Sequence, residues 1–143
     1  MSEASILVFN TTFVAIKGRA LGIEGPPGSG KSSLALALID RGAVLIGDDG
    51  ARLVRDGARV VAHPPKETHG LIEVRGVGLV EMPVASPAAL SLILTLTNES
   101  ERLPAEADRR TILGCEIPAL PFTPGTIAPA QRVELALAKF GLT

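Results

Sequence analysis

The sequence contains no tryptophan and no tyrosine, and its only aromatic side chains are four phenylalanines in 143 residues. That excludes an aromatic stacking platform for single-stranded nucleic acid. It also means that the core is built from Leu, Ile, Val and Ala. Cys115 is the single cysteine, so no disulfide framework can form within the chain and a cysteine-based zinc site lacks ligands. Charge of one sign is missing too. Fourteen Lys and Arg stand against 15 Asp and Glu, which leaves no electrostatic footprint for DNA, RNA or an anionic membrane surface. No run approaches the ~18 apolar residues of a membrane span. The first residues, from Met1 to Ser5, are acidic rather than basic and enter a short apolar run, Ile6 to Phe9. This does not read as a secretory leader, and cytoplasmic residence is expected.

What is present is globular in character: 46% of residues are hydrophobic and 20% charged, enough apolar material in one domain-sized chain to bury a core. Residues 12–16 and 20–24 read as strands separated by the turn signal Lys17-Gly18-Arg19, a hairpin. A Gly-rich loop follows directly. Good helix formers occupy 33–41, with Gly42 as a stop. Residues 43–46 form a short apolar run ending in Gly47-Asp48-Asp49, which predicts a buried strand with carboxylates at its C-terminal end. Asp56-Gly57 predicts a hairpin between 52–54 and 59–61. Residues 63–69 read as a polar loop, and 71–80 as strand-like but broken by Gly76 and Gly78. The run 90–97 is leucine-rich yet alternating, and a strand is expected there. Residues 98–110 are charged and predicted to be exposed, in part helical. A hairpin is expected about Gly114-Cys115, then an extended Pro-rich segment, then a C-terminal helix with Pro129 in its first turn and Val133, Ala136, Leu137 and Phe140 on one face.

The loop Gly25-Pro26-Pro27-Gly28-Ser29-Gly30-Lys31-Ser32 satisfies G-x-x-x-x-G-K-[ST]. Each position has a physical task. The glycines let the backbone approach phosphate oxygens and aim its N–H groups at them. Lys31 supplies a point charge for the β- and γ-phosphates, and the Ser32 hydroxyl is suited to Mg²⁺. The helix adds its positive N-terminal end. A strand before and a helix after give the motif its proper context, so binding of a nucleoside triphosphate, ATP with Mg²⁺, is expected.

Asp48 and Asp49 lie one helix and one strand further on. One carboxylate at such a strand end suits Mg²⁺, directly or through water, and the other suits accepting a proton from a hydroxyl nucleophile. A solvated Asp-Asp-Gly turn is the plain alternative. Glu73 and Arg75, spaced by two, are expected to share one strand face; polar surface, an ion-pair edge and an active-site wall all remain open for it. Arg102 is one of several charges in an exposed-looking stretch. His63 and His69 lack metal-ligand spacing and read as loop histidines.

Taken together, these segments resemble the catalytic domain of HPr kinase/phosphorylase. GPPGSGKSSLALALIDRG at 25–42, AVLIGDDG at 43–50 and IEVRGVGLV at 72–80 carry the likeness, with weaker similarity through 101–103, 112–114 and 121–125. The resemblance implies an α/β phosphate-loop domain of the phosphoenolpyruvate carboxykinase-like type, with a mixed curved sheet and a C-terminal helix. It implies one catalytic domain over 1–143 without an N-terminal regulatory domain, similar to the short form seen in α-proteobacteria. It implies transfer of the ATP γ-phosphoryl group to a serine of HPr, the carrier protein of the phosphotransferase system, and in some members phosphorolytic removal. By position, Asp49 corresponds to the proton acceptor, Ser32 and Glu73 to Mg²⁺ ligands, and Lys31 and Arg102 to the charge stabilisers. A hexamer is the assembly the family implies. Asn10 stands where the family commonly has a histidine, the segment 81–87 is short, and the Pro-Gly segment tied to dephosphorylation is matched only in part at Pro124-Gly125. Kinase activity is therefore expected and phosphorylase activity left open. A small-molecule kinase with the same loop, or a nucleotide-sensing module without turnover, are the rival expectations.

Overall fold

A computed structural model describes residues 4–143; the acidic start read at Met1 to Glu3 lies outside them. Eleven strands and two helices are present among the described residues. β1 (Ser5–Phe9), β2 (Thr11–Ile16) and β3 (Arg19–Glu24) lead to α1 (Lys31–Asp40). β4 (Val44–Gly47), β5 (Gly50–Asp56) and β6 (Arg59–His63) follow, then β7 (Leu71–Val74) and β8 (Gly78–Glu81). β9 (Ala88–Leu96), β10 (Asp108–Ile112), β11 (Cys115–Phe122) and α2 (Pro129–Phe140) complete the chain.

Nine strands form one mixed sheet in the order β1-β5-β6-β9-β3-β2-β4, with β11 also joined to β9 and β10 to β11. β9 is parallel to β3 and β11 and antiparallel to β6. The mixed curved sheet and the C-terminal helix are as expected. The curvature follows from connectivity. A single residue, Asn10, joins β1 to β2, and Asp48-Asp49 alone joins β4 to β5, yet these strands lie at opposite ends of the sheet order. β1 pairs with β5 up to Phe9↔Gly50, and β2 pairs with β4 from Phe13↔Gly47. Two long bent strands thus run side by side, and their shared corner draws the ends of the sheet together.

Two glycines permit that corner. A Cβ on Gly47 would stand 2.0 Å from the Gly50 carbonyl oxygen, and one on Gly50 would stand 2.1 Å from the Val8 carbonyl oxygen. No side chain fits where backbones approach this closely.

The curled sheet has two apolar faces. Inside lie Phe13, Ile46, Leu53, Leu90, Ile93 and Ile117 with many alanines, whose small volume suits a tight interior. Outside, Leu21, Ile23, Leu92 and Leu94 pack under α1 (Leu34, Leu38) and α2 (Val133, Leu137). β9 serves both faces, and its alternation changes phase where the register slips opposite Ala20 and Leu21, leaving Ser91 as the extra residue. A bulge of this kind reverses which side chains point inward.

Several expectations change. Residues 6–9, read only as a short apolar run, belong to edge strand β1. The apolar run at 43–46 is not buried throughout, because β4 is at the sheet edge with Val44 exposed. Residues 98–107 contain no helix, and 108–112 belong to β10. The β10–β11 turn is Leu113-Gly114, both with positive φ, so Cys115 starts β11. Pro118 and Pro121 sit within β11 itself. The region 71–80 is a separate two-stranded hairpin, β7–β8. Arg75 lies in its turn, so it does not share a strand face with Glu73.

Candidate functional site

The Gly-rich loop joins β3 to α1 at the edge of the sheet where β3 and its parallel neighbour β9 both end, with Glu24 opposite Thr95. Gly28 (φ 80°) and Gly30 (φ 97°) hold left-handed backbone, which costs an L-residue but not glycine. Ser29 N–H donates to the Pro26 carbonyl at 3.1 Å and closes the turn. The Ser29 hydroxyl is buried inside the loop without a hydrogen-bond partner. Gly30 precedes α1 with no side-chain cap, so the first-turn N–H groups face the loop, the arrangement that favours an anion. Lys31 Nζ donates to the Gly25 and Pro26 carbonyls at 2.8 and 3.3 Å.

The corner of the bent strands faces this loop. Asn10 has φ 59° and donates its N–H to the Asp49 carbonyl at 3.2 Å. Asp48 points its carboxylate at the start of α1: Ser32 Oγ donates to Oδ1 at 2.6 Å. Thr12 Oγ1, fully buried, donates to the Asp48 carbonyl at 2.6 Å and lies 3.3 Å from Oδ1. The β7–β8 hairpin makes the opposite wall, and the Glu73 N–H donates to Asp48 Oδ2 at 2.9 Å.

These parts enclose a cleft of about 1140 Å³. Gly25, Pro27, Gly28, Gly30, Lys31 and Ser32 line it from the loop, Asn10, Thr12, Asp48 and Asp49 from the corner, and residues of the hairpin from the far side, Glu73, Arg75, Val77 and Leu79 among them. The loop, the Asp pair and Glu73, far apart in sequence, therefore share one cavity. Pro26 and Ser29 complete the loop behind that surface. Arg102 does not line the cleft; it is exposed on the segment that leaves β9. Thr12 is the polar residue that sequence reasoning passed over as an ordinary β-branched strand position. Its signal was slight, a hydroxyl in a strand that proves buried on both faces.

The donor set is one of hard oxygens, which suits Mg²⁺ rather than a soft metal. No group of three or more His, Cys, Asp or Glu side chains able to hold a metal occurs among the described residues.

A family model described as the HPr Serine kinase C-terminal domain matches residues 4–142. The chain belongs to this family. Its relatives in the HPr serine kinase family include the HPr kinase/phosphorylase of Exiguobacterium sp., 31% identical over 99% of this chain and 50% of its own length. Those of Burkholderia lata and Bordetella pertussis are each 36% identical, over 87% and 73% of this chain and 41% and 38% of their own lengths. The chain thus spans half or less of the length of these curated relatives. A solved structure, the Hpr(Ser) kinase/phosphatase from Coxiella burnetii, superposes with a TM-score of 0.81 at 26% identity, covering 94% of this chain and 92% of that one. Fold and phosphate loop are thereby placed within the HPr serine kinase C-terminal domain. No helix among the described residues is long and apolar enough to cross a membrane.

Proposed function

We propose that this chain is an ATP-dependent serine kinase that phosphorylates HPr in the cytoplasm. The observation that carries this reading is the common cleft: Asp49 stands beside the phosphate loop, with Ser32 and Glu73 on the same cavity, in a chain of the HPr serine kinase family. A loose phosphoryl-transfer transition state calls for positioning and electrostatic support more than for covalent chemistry.

Each residue then has a role. The loop N–H groups and the start of α1 hold the phosphates, on a turn closed by the Ser29 N–H. Lys31 exchanges the Gly25 and Pro26 carbonyls for phosphate oxygens. Ser32 and Glu73 would hold Mg²⁺, with Asp48 as a further candidate oxygen donor; the ion, when bound, would screen the charge of the phosphates. Asp49 accepts the proton of the acceptor serine hydroxyl as that oxygen attacks. Arg102 is proposed to stabilise the transferring group from the segment after β9, which leaves the sheet at the same edge as the phosphate loop.

The test is direct. The full chain is incubated with ATP, Mg²⁺ and HPr of the same organism, and HPr is examined for phosphoserine. Phosphorylation that disappears in Asp49→Asn is the expected result. Nucleotide binding without any phosphoserine would leave the nucleotide-sensing alternative standing. A second assay, with serine-phosphorylated HPr and inorganic phosphate, measures the reverse reaction with Asn10 in the cleft.

A further inference from the structure

Asp48 holds two parts of the molecule at once. Its Oδ1 accepts from Ser32 Oγ on α1, while its Oδ2 accepts from the backbone N–H of Glu73 on β7. We infer that Asp48 is a positioning residue that brackets the β7–β8 hairpin to the phosphate loop, so that one carboxylate sets the spacing of Ser32 and Glu73. This rests on the reading of those two residues as Mg²⁺ ligands.

The fold explains why a bracket is needed. β7–β8 is a two-stranded sheet, separate from the nine-stranded one, and such a hairpin has little stability of its own. Its base is closed by Met82 N–H to the Gly70 carbonyl at 2.7 Å and by Leu71 N–H to Thr68 at 3.1 Å. Ile72 is fully buried, and Val74, Val80 and Met82 pack against the outer core. Apolar packing is non-directional; it holds the hairpin down but does not fix how far Glu73 stands from α1. A hydrogen bond to a carboxylate is directional and roughly twice as strong as a neutral one. Here the donor is a main-chain N–H, so the bond fixes the strand itself and leaves the Glu73 carboxylate free for the cleft. Thr12 holds the bracket in turn, by its hydroxyl on the Asp48 carbonyl at 2.6 Å.

The experiment follows amide hydrogen exchange at Glu73 in the full chain without nucleotide or metal, in the wild type, Asp48→Ala and Ser32→Ala. Alanine removes both acceptors, whereas an asparagine amide could flip to accept from the Glu73 N–H and donate to Ser32 Oγ, keeping the bracket. Exchange at Glu73 is expected to rise by roughly tenfold or more in Asp48→Ala, the loss of one charge-assisted bond, while the core amides of β9 stay as they were. Ser32→Ala leaves the Oδ2 bond in place and is expected to exchange at Glu73 as the wild type does. Calorimetry then compares ATP with and without Mg²⁺: Asp48→Ala weakens binding with the metal by more than it weakens metal-free binding.

Unaltered Glu73 exchange in Asp48→Ala overturns the bracket. So does a uniform rise across the whole chain, or an equal loss of affinity with and without Mg²⁺. Should Asp48→Ala not fold, an unprotected Glu73 amide in the wild type is sufficient to overturn it. A protein that shows the exchange pattern but phosphorylates nothing refutes the kinase reading and keeps the bracket.

Discussion

Lys31 Nζ lies 2.8 Å from the carbonyl oxygen of Gly25, the first residue of its own loop. The side chain therefore folds back across the curve that the loop N–H groups surround. Its ammonium is held by two neutral carbonyls, partners that a charged phosphate oxygen outcompetes. Lys31→Met keeps the length and removes the charge. Phosphoryl transfer is expected to fall by about 10²–10³-fold or more, with a smaller loss of ATP affinity, read from initial rates and calorimetry.

Asp49 is joined to the corner through its backbone, by the Asn10 N–H on its carbonyl. Its side chain is exposed on the cleft. Asp49→Asn should therefore fold and bind ATP normally while its kcat drops by about 10²–10⁴-fold, the range of general-base contributions. Unchanged turnover would show that another group accepts the proton.

Leu92 is fully buried between β9 and the helices. Leu92→Ala removes three carbons from a packed site and leaves a cavity, for an expected loss of about 2–5 kcal/mol. In a chain of this size thermal unfolding should move down by roughly 5–15 °C. The same substitution at Leu103, 85% exposed, should leave the stability within about 0.5 kcal/mol of the wild type.

Arg41 donates to Glu134 Oε1 through both Nε and Nη2, at 3.0 and 2.8 Å, and so ties the end of α1 to α2. The hydrogen bond from Arg41, aided by its charge, holds the Glu134 carboxyl below its ordinary value, against partial desolvation. A depressed carboxylate stabilises the fold above its unfolded pKa, and the contribution fades as pH falls through the folded one. Both side chains are substantially exposed, so the effect is small and screened by salt. Glu134→Gln should lower the unfolding temperature slightly at neutral pH and low salt. The difference from wild type should close as the pH drops below the ordinary glutamate range.

Much of the chain was legible because local chemistry decides it. Asp56-Gly57 fixes the β5–β6 hairpin, with Asp56 opposite Arg59, and Pro129 opens α2 at its first position. The phosphate loop was read residue by residue. Other features were not legible. The broken strand at 71–80 is a hairpin because Gly76 and Gly78 adopt positive φ, and its docking beside Asp48 is a contact across 25 residues. The charged stretch 98–107 satisfies helix composition in part, but no apolar face draws it onto the core, and it forms bends. Strand β1 was missed because its apolar residues, Leu7 and Phe9 among them, are mostly exposed; pairing with β5, not burial, makes it a strand.

The sequence by itself determined the loop from Gly25 to Ser32, its flanking strand and helix, and the carboxylate pair after the next strand, since each depends on residues within a few positions of one another. Tertiary structure alone decided that these face one cleft. Asn10 and Asp48-Asp49 become a shared corner only when the curled sheet brings its ends together, and Gly47 and Gly50 allow it by leaving no Cβ between touching backbones. Long-range strand pairing sets that geometry, and no local propensity encodes it.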